Sequence, residues 1–174
     1  MFKLSKKGVL FFEEYLWIIL MWLPGILGAR LRNIALKLIC LKIGKGCIVY
    51  EGTKAIHCYN ISLGNNVNIN SGVYIDGHDR VVIGDSCLIG PGVKILTSNH
   101  EIDNIDRPMS ECGLICLPVT IEEDVWLGSN VIITPGVRLS KGTVVAAGAV
   151  VTKDTEPYTI YAGIPAKILR RRKL

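Results

Sequence analysis

No uninterrupted apolar stretch of this 174-residue chain reaches the roughly 20 residues that a membrane-spanning helix needs. The oiliest segment, Tyr15–Leu27, is uncharged but contains Pro24-Gly25, and extending it back to Val9 brings in Glu13 and Glu14. Lys3, Lys6 and Lys7 precede Val9–Phe12, yet no small-x-small cleavage site follows, which argues against a secretory leader. The six cysteines, Cys40, Cys47, Cys58, Cys87, Cys112 and Cys116, lack CxxC pairs and the spacing of a disulfide-stapled miniprotein, so reduced thiols in a cytoplasmic protein are expected. Aromatic residues make up only 7% of the chain, but all three Phe and two of the three Trp fall within the first 22 residues. Charged residues are 20% against 49% hydrophobic, with mean hydropathy +0.37, which excludes whole-chain disorder. The length excludes a two-domain enzyme.

The net charge of +5 is uneven: residues 1–45 carry +6 and the remainder −1. A terminus that is at once basic, oily and aromatic suits an anionic membrane surface and not nucleic acid. Within it, residues 30–42 are predicted as a helix with Leu31, Ile34, Leu38 and Leu41 on one side and Arg30, Asn33 and Lys37 on another. Residues 1–42 are therefore expected to form a helix–Pro/Gly–helix element lying on the cytoplasmic face of the membrane, with a cap over the rest of the domain or a subunit contact as the alternative.

From Ile43 onward an aliphatic residue recurs every sixth position: Ile43, Val49, Ala55, Leu63, Ile69, Ile75, Ile83, Ile89, Ile95, Ile121, Leu127, Ile133, Leu139, Val145 and Val151. Small residues such as Cys47, Val67, Val73, Cys87, Val93 and Val131 follow four positions later, and Tyr59, Asp79 and Asn99 break that rule. Gly46, Gly52, Gly72, Gly92, Gly136, Gly142 and Gly148 lie between, where a corner every six residues demands unusual backbone angles. Three hexads per coil give a triangular parallel β-helix over 43–162, interrupted by a loop at 101–120 and followed by a basic tail at 163–174. A loop of that length in a compact fold is usually functional.

The hexad pattern, with Thr97-Ser98-Asn99-His100 at the loop entrance, Trp126-Leu127-Gly128-Ser129 and Gly163-Ile164-Pro165-Ala166, resembles the hexapeptide-repeat acyltransferases, in particular the galactoside, maltose and xenobiotic acetyltransferases. The resemblance implies a left-handed β-helix, a homotrimer, acetyl-coenzyme A as co-substrate and no metal. It also implies O-acetyl transfer, with His100 as the general base and Ser129 near the thioester as oxyanion donor. Coenzyme A contacts carried over by position are Ser129, Ala147, Thr152, Lys153, Lys167 and Arg170. Acceptor contacts are Asn70, His78, Asp79, Asn99 and Trp126. Asp79 and Asn99, at equivalent places on neighbouring coils, are expected to make a polar spot beside His100 and one of them to hold its ring, with the loop acids Glu101, Asp103, Asp106 and Glu111 as further candidates. The acceptor expected from the oily N-terminus is a sugar hydroxyl of a lipid-linked surface-polysaccharide precursor, with a serine-like or xenobiotic small molecule as the alternative. A metal lyase of the γ-type carbonic anhydrase class would use three histidines, and this chain has His57, His78 and His100, but the paired spacing H-x4-H of that class is missing. A non-catalytic scaffold would need neither His100 nor the loop.

Overall fold

In the computed structural model, which describes residues 5–173, the hexads wind into a left-handed parallel β-helix of three flat faces. The first face stacks Lys42–Ile43, Ile61–Leu63, Val81–Ile83, Val119–Ile121 and Arg138–Leu139. The second stacks Ile48–Val49, Asn68–Ile69, Leu88–Ile89, Trp126–Leu127, Val144–Val145 and Thr159–Ala162. The third stacks Lys54–Ile56, Tyr74–Asp76, Lys94–Ile95, Ile132–Ile133 and Val150–Val151. Register follows the hexads residue for residue: Leu63 pairs with Ile83, Ile69 with Ile89, Ile75 with Ile95. Fourteen of the fifteen hexad starts are buried, and Ile43, at the open end, is partly so. Each coil buries its aliphatic column only against the next, so truncating one of these Ile or Leu residues to Ala costs about 2–5 kcal/mol.

The interruption leaves the stack intact, because Ile83 pairs directly with Ile121. The excursion leaves the prism at Ser98 as an antiparallel hairpin, Ser98–His100 against Leu114–Cys116, and re-enters at Val119. It is thus an arm with a two-stranded stem, not the open loop of residues 101–120. Its tip is apolar and bare: Ile105 is 92% exposed, and Ile102 and Met109 are also exposed.

The chain's other end also departs from expectation. The described part of the basic tail, residues 163–173, is not free: Lys167–Arg171 forms a strand antiparallel to Thr159–Ala162. Ala166 packs on the core, Arg171 pairs with Glu156, and Arg172 bonds Asp124 and the Gly142 carbonyl.

Upstream, helix α1 (Lys6–Leu20) starts at Ser5, whose hydroxyl accepts from the Gly8 N–H. Helix α2 (Gly25–Ile39) begins directly after Pro24, five residues earlier than residues 30–42 suggest. The two helices close the open end of coil one (43–60, with coil two at 63–80), and Val9, Trp17, Leu36, Ile39 and Cys40 join its core. The polar anchors are unusual. Glu13, only 4% exposed, accepts the N–H of His57 at 2.6 Å and of Cys58 at 2.9 Å. Arg32, 1% exposed, donates to the carbonyls of Val49, Leu20 and Leu23, tying coil one to the end of α1 and the turn that follows it. Asn33 donates to the Cys47 carbonyl. The buried side of α2 is therefore Gly28, Arg32, Ala35, Leu36 and Ile39, while Ile34 and Leu38 face outward with Lys37. No described helix is long and apolar enough to cross a membrane.

Candidate functional site

The predicted site residues fall on two corners of the prism, one on either side of the third face. The corner after that face carries His57, His78, Asp79, Asn99, His100, Thr152 and Lys153; the corner before it carries Asn70, Ser129 and Ala147, with Trp126 beside them.

His100 stands at the stem of the arm, opposite Leu114, with its side chain exposed. Among the described residues no side chain holds its imidazole. Asp79 does not: its carboxylate accepts from the Arg80 N–H and its own N–H bonds the Thr97 hydroxyl. Asn99 pairs in the hairpin with Ile115 and is exposed. The polar spot inside the prism consists instead of Asp76 and Thr97, both buried. The reason is a change of phase. The third-face strands of coils one and two run one residue further than two-residue hexad strands, and the arm pulls the chain out at Ser98, so the position four after the hexad start no longer points inward.

Asp76 was missed by the sequence reading, although a signal existed: it follows the hexad start Ile75, where the neighbouring coils carry Ile56 and Leu96. Its carboxylate accepts from the His78 ring Nδ1 at 2.5 Å, the His78 N–H at 3.0 Å, the Ser98 hydroxyl at 2.6 Å and the Thr97 N–H at 3.2 Å. Burial alone would raise this carboxyl, but the hydrogen bonds from Ser98 and His78 outweigh it and leave it below the ordinary carboxylate range. The His57 ring lies 4.1 Å from the His78 ring. Burial, and then the neighbouring His78, lower the His57 pKa and disfavour its charged form. His57, Asp76 and His78 form one cluster; His100 does not join it, and no three-histidine set exists among the described residues.

On the other corner, Asn70, Trp126 and Ser129 converge on one pocket of about 300 Å³, floored by Gly90 and Pro91. Ser129 presents an N–H with no acceptor among the described residues, next to the turn containing Ala147, whose successor Gly148 donates to the Ser129 carbonyl. Only glycine fits at position 128, since a Cβ there would lie 2.6 Å from the Ala147 nitrogen. Lys167 and Arg170 are exposed on the closing strand of the second face. Thr152 and Lys153 are exposed too, but across the third face from Ser129. A second, larger cavity of about 860 Å³ lies between α1 and coil one, lined by Trp17, Ile18, Met21, Trp22, Lys54 and His57.

Residues 118–153 match the family model described as the hexapeptide repeat of succinyl-transferase. The galactoside O-acetyltransferase of Escherichia coli K12 is 37% identical over 111 residues, which are 64% of this chain and 54% of that protein. The galactoside O-acetyltransferase of Lactococcus lactis is 33% identical over 143 residues, 78% of this chain and 65% of that one. The chain spans about half the length of the first relatives it matches. Among solved structures, a hexapeptide-repeat acetyltransferase from Vibrio cholerae complexed with acetyl-coenzyme A superposes with a TM-score of 0.87 at 30% identity, covering 96% of this chain and 88% of that one.

Proposed function

From the premise that this chain belongs to the hexapeptide-repeat acetyltransferase family, we propose that it transfers the acetyl group of acetyl-coenzyme A to a hydroxyl of a lipid-linked surface-polysaccharide precursor. The observation that carries the reading is the split of the site residues: a thioester-sized pocket with a free N–H at Ser129 on one corner, and an uncommitted imidazole at His100 on the other. In the reaction His100 accepts the acceptor's hydroxyl proton as that oxygen attacks the thioester carbonyl. The Ser129 N–H stabilises the resulting oxyanion, and collapse expels the coenzyme A thiolate, to which the imidazolium returns its proton. Ala147 leaves room for the pantetheine arm, Lys167 and Arg170 supply charge for the coenzyme A phosphates, and Lys153, on the His100 corner, adds charge from the neighbouring prism. Asn70, His78 and Trp126 contact the acceptor. Incubation with acetyl-coenzyme A and fractionated lipid-linked glycans, followed by location of the new ester, tests the reading; no ester on any glycan overturns it.

The separation of the two corners by a whole face supports a site shared between prisms, His100 from one and the Ser129 pocket from its neighbour. The bare apolar tip of the arm, with Ile102, Ile105 and Met109, supports the same arrangement, since a subunit contact would remove it from water. A homotrimer is expected in light scattering, and an active monomer would refute the shared site.

The outer surface of α1 and α2 supports the lipid-linked acceptor. Phe11, Ile18, Ile19, Trp22, Ile26 and Leu27 are exposed there, Trp22 by 73%, with Lys6, Lys7, Arg30 and Lys37 also exposed on the same two helices. Lys3 lies outside the described residues. Apolar area next to cations fits the anionic cytoplasmic leaflet, each Lys or Arg near the surface contributing about 1 kcal/mol and less as salt rises. The intact chain is expected to float with phosphatidylglycerol-containing vesicles, and Phe11→Ser with Trp22→Ser to sink without unfolding. An intact chain that ignores such vesicles would remove the membrane from this reading.

A further inference from the structure

The cluster of His57, Asp76 and His78 takes no part in the acetyl transfer derived above beyond the contact assigned to His78, yet it is built with care. His57 sits in the left-handed region at φ 53, which few residues other than glycine adopt, and stays there because the buried Glu13 holds both its N–H and that of Cys58. Asp76 is fixed from both sides, by His78 on one oxygen and by Ser98 and Thr97 on the other. Two imidazoles are thereby held 4.1 Å apart at a tilt of 50°, and the buried Nδ1 of His57 has no hydrogen-bond partner. A buried, unpartnered ring nitrogen calls for a ligand.

We infer that His57, Asp76 and His78 bind a divalent cation of the zinc class, held by two imidazoles and a carboxylate. One donor atom from each of the three residues already lies within 4.8 Å of the others. Donors about 2.0–2.2 Å from a common ion stand about 3–3.5 Å apart, so a shift of at most about 1.8 Å assembles the set. The donor chemistry selects the metal: imidazole nitrogen suits zinc, cobalt and nickel, whereas magnesium and calcium take oxygen. The His78 Nδ1 and an Asp76 oxygen already face each other at 2.5 Å, so this nitrogen is the ring's donor atom, and the ion takes the place of the proton held between the two groups, which is released. The His78 side chain is 31% exposed and His57 lines the cavity under α1, so water reaches the ion as a remaining ligand. The ion ties coil one to coil two at the turn that Glu13 pins to α1, and this assignment does not depend on the acetyl-transfer reading.

The full-length chain, stripped with a chelator and titrated with cobalt(II), is expected to take up one ion per chain with visible d–d absorption, which zinc displaces. Zinc is also expected to raise the thermal midpoint of the stripped protein. His57→Gln and His78→Gln should each weaken cobalt binding at least tenfold while retaining the native circular dichroism, and His100→Ala should leave it unchanged. Three results overturn the assignment: no cobalt spectrum on the folded wild-type chain, unaltered affinity in the double variant His57→Gln/His78→Gln, or a spectrum dominated by thiolate charge transfer, which would move the site to the cysteines.

Discussion

Replacing His100 with alanine is expected to lower turnover by about 10²–10⁴ and to leave the affinity for acetyl-coenzyme A nearly unchanged, because in the proposed reaction the imidazole acts on the acceptor's proton and not on the donor. The side chain is exposed and makes no hydrogen bond among the described residues, so its removal disturbs neither the stack nor the arm's stem, which is held by backbone pairing with Leu114–Cys116. The loss therefore reads as chemistry and not as folding. Steady-state kinetics with the acceptor varied, beside a binding isotherm for coenzyme A, separates the two. A variant with wild-type turnover removes His100 from the mechanism. A variant that loses coenzyme A binding instead assigns His100 to the donor side.

Glu13→Ala is expected to cost about 2–5 kcal/mol, since it strips the acceptor from two backbone N–H groups, and a buried donor left unpaired costs about 1–3 kcal/mol. In a chain of this length that corresponds to a fall in melting temperature of roughly 5–15 °C. Glu14→Ala, one residue on and exposed, is expected within about 0.5 kcal/mol of wild type. Thermal unfolding of the two variants checks the contrast, and equal melting temperatures would mean that α1 is not anchored through Glu13. The same geometry alters what deletion of residues 1–42 does. Read from the hexads alone, the β-helix starts at Ile43 and needs nothing upstream. With Val9, Trp17, Leu36, Ile39 and Cys40 in the core, the truncated chain exposes the end of coil one and is expected to aggregate, so membrane binding is better probed by substitutions on the outer face.

The period of six was legible along the whole solenoid. A side chain every sixth residue has one place to go in a triangular coil, and the register, the seven positive-φ corner glycines and the burial of Cys47 and Cys87 all follow from that spacing alone. The positions of Asn70, Trp126 and Ser129 were equally legible, because residues on a periodic stack share a corner whenever their phase agrees, and the structure brings these three to one pocket. His100 was marked by the point where the period stops.

What the period could not decide is what happens where it fails. The longer third-face strands of coils one and two and the exit of the arm at Ser98 change the phase, which turned Asp79 and Asn99 away from the interior and put Asp76 and Thr97 there. Glu13 read as a break in an apolar run, because a carboxylate 44 residues from its backbone partner leaves no local trace of the bond it makes. Arg32 read as part of a basic surface for the same reason, and its burial depends on three carbonyls contributed by coil one, the end of α1 and the turn after it. Local spacing determines which side chains a repeating coil turns inward. Only the tertiary structure decides where a buried charge finds its partners, because those hydrogen bonds form between segments whose separation in sequence follows no period.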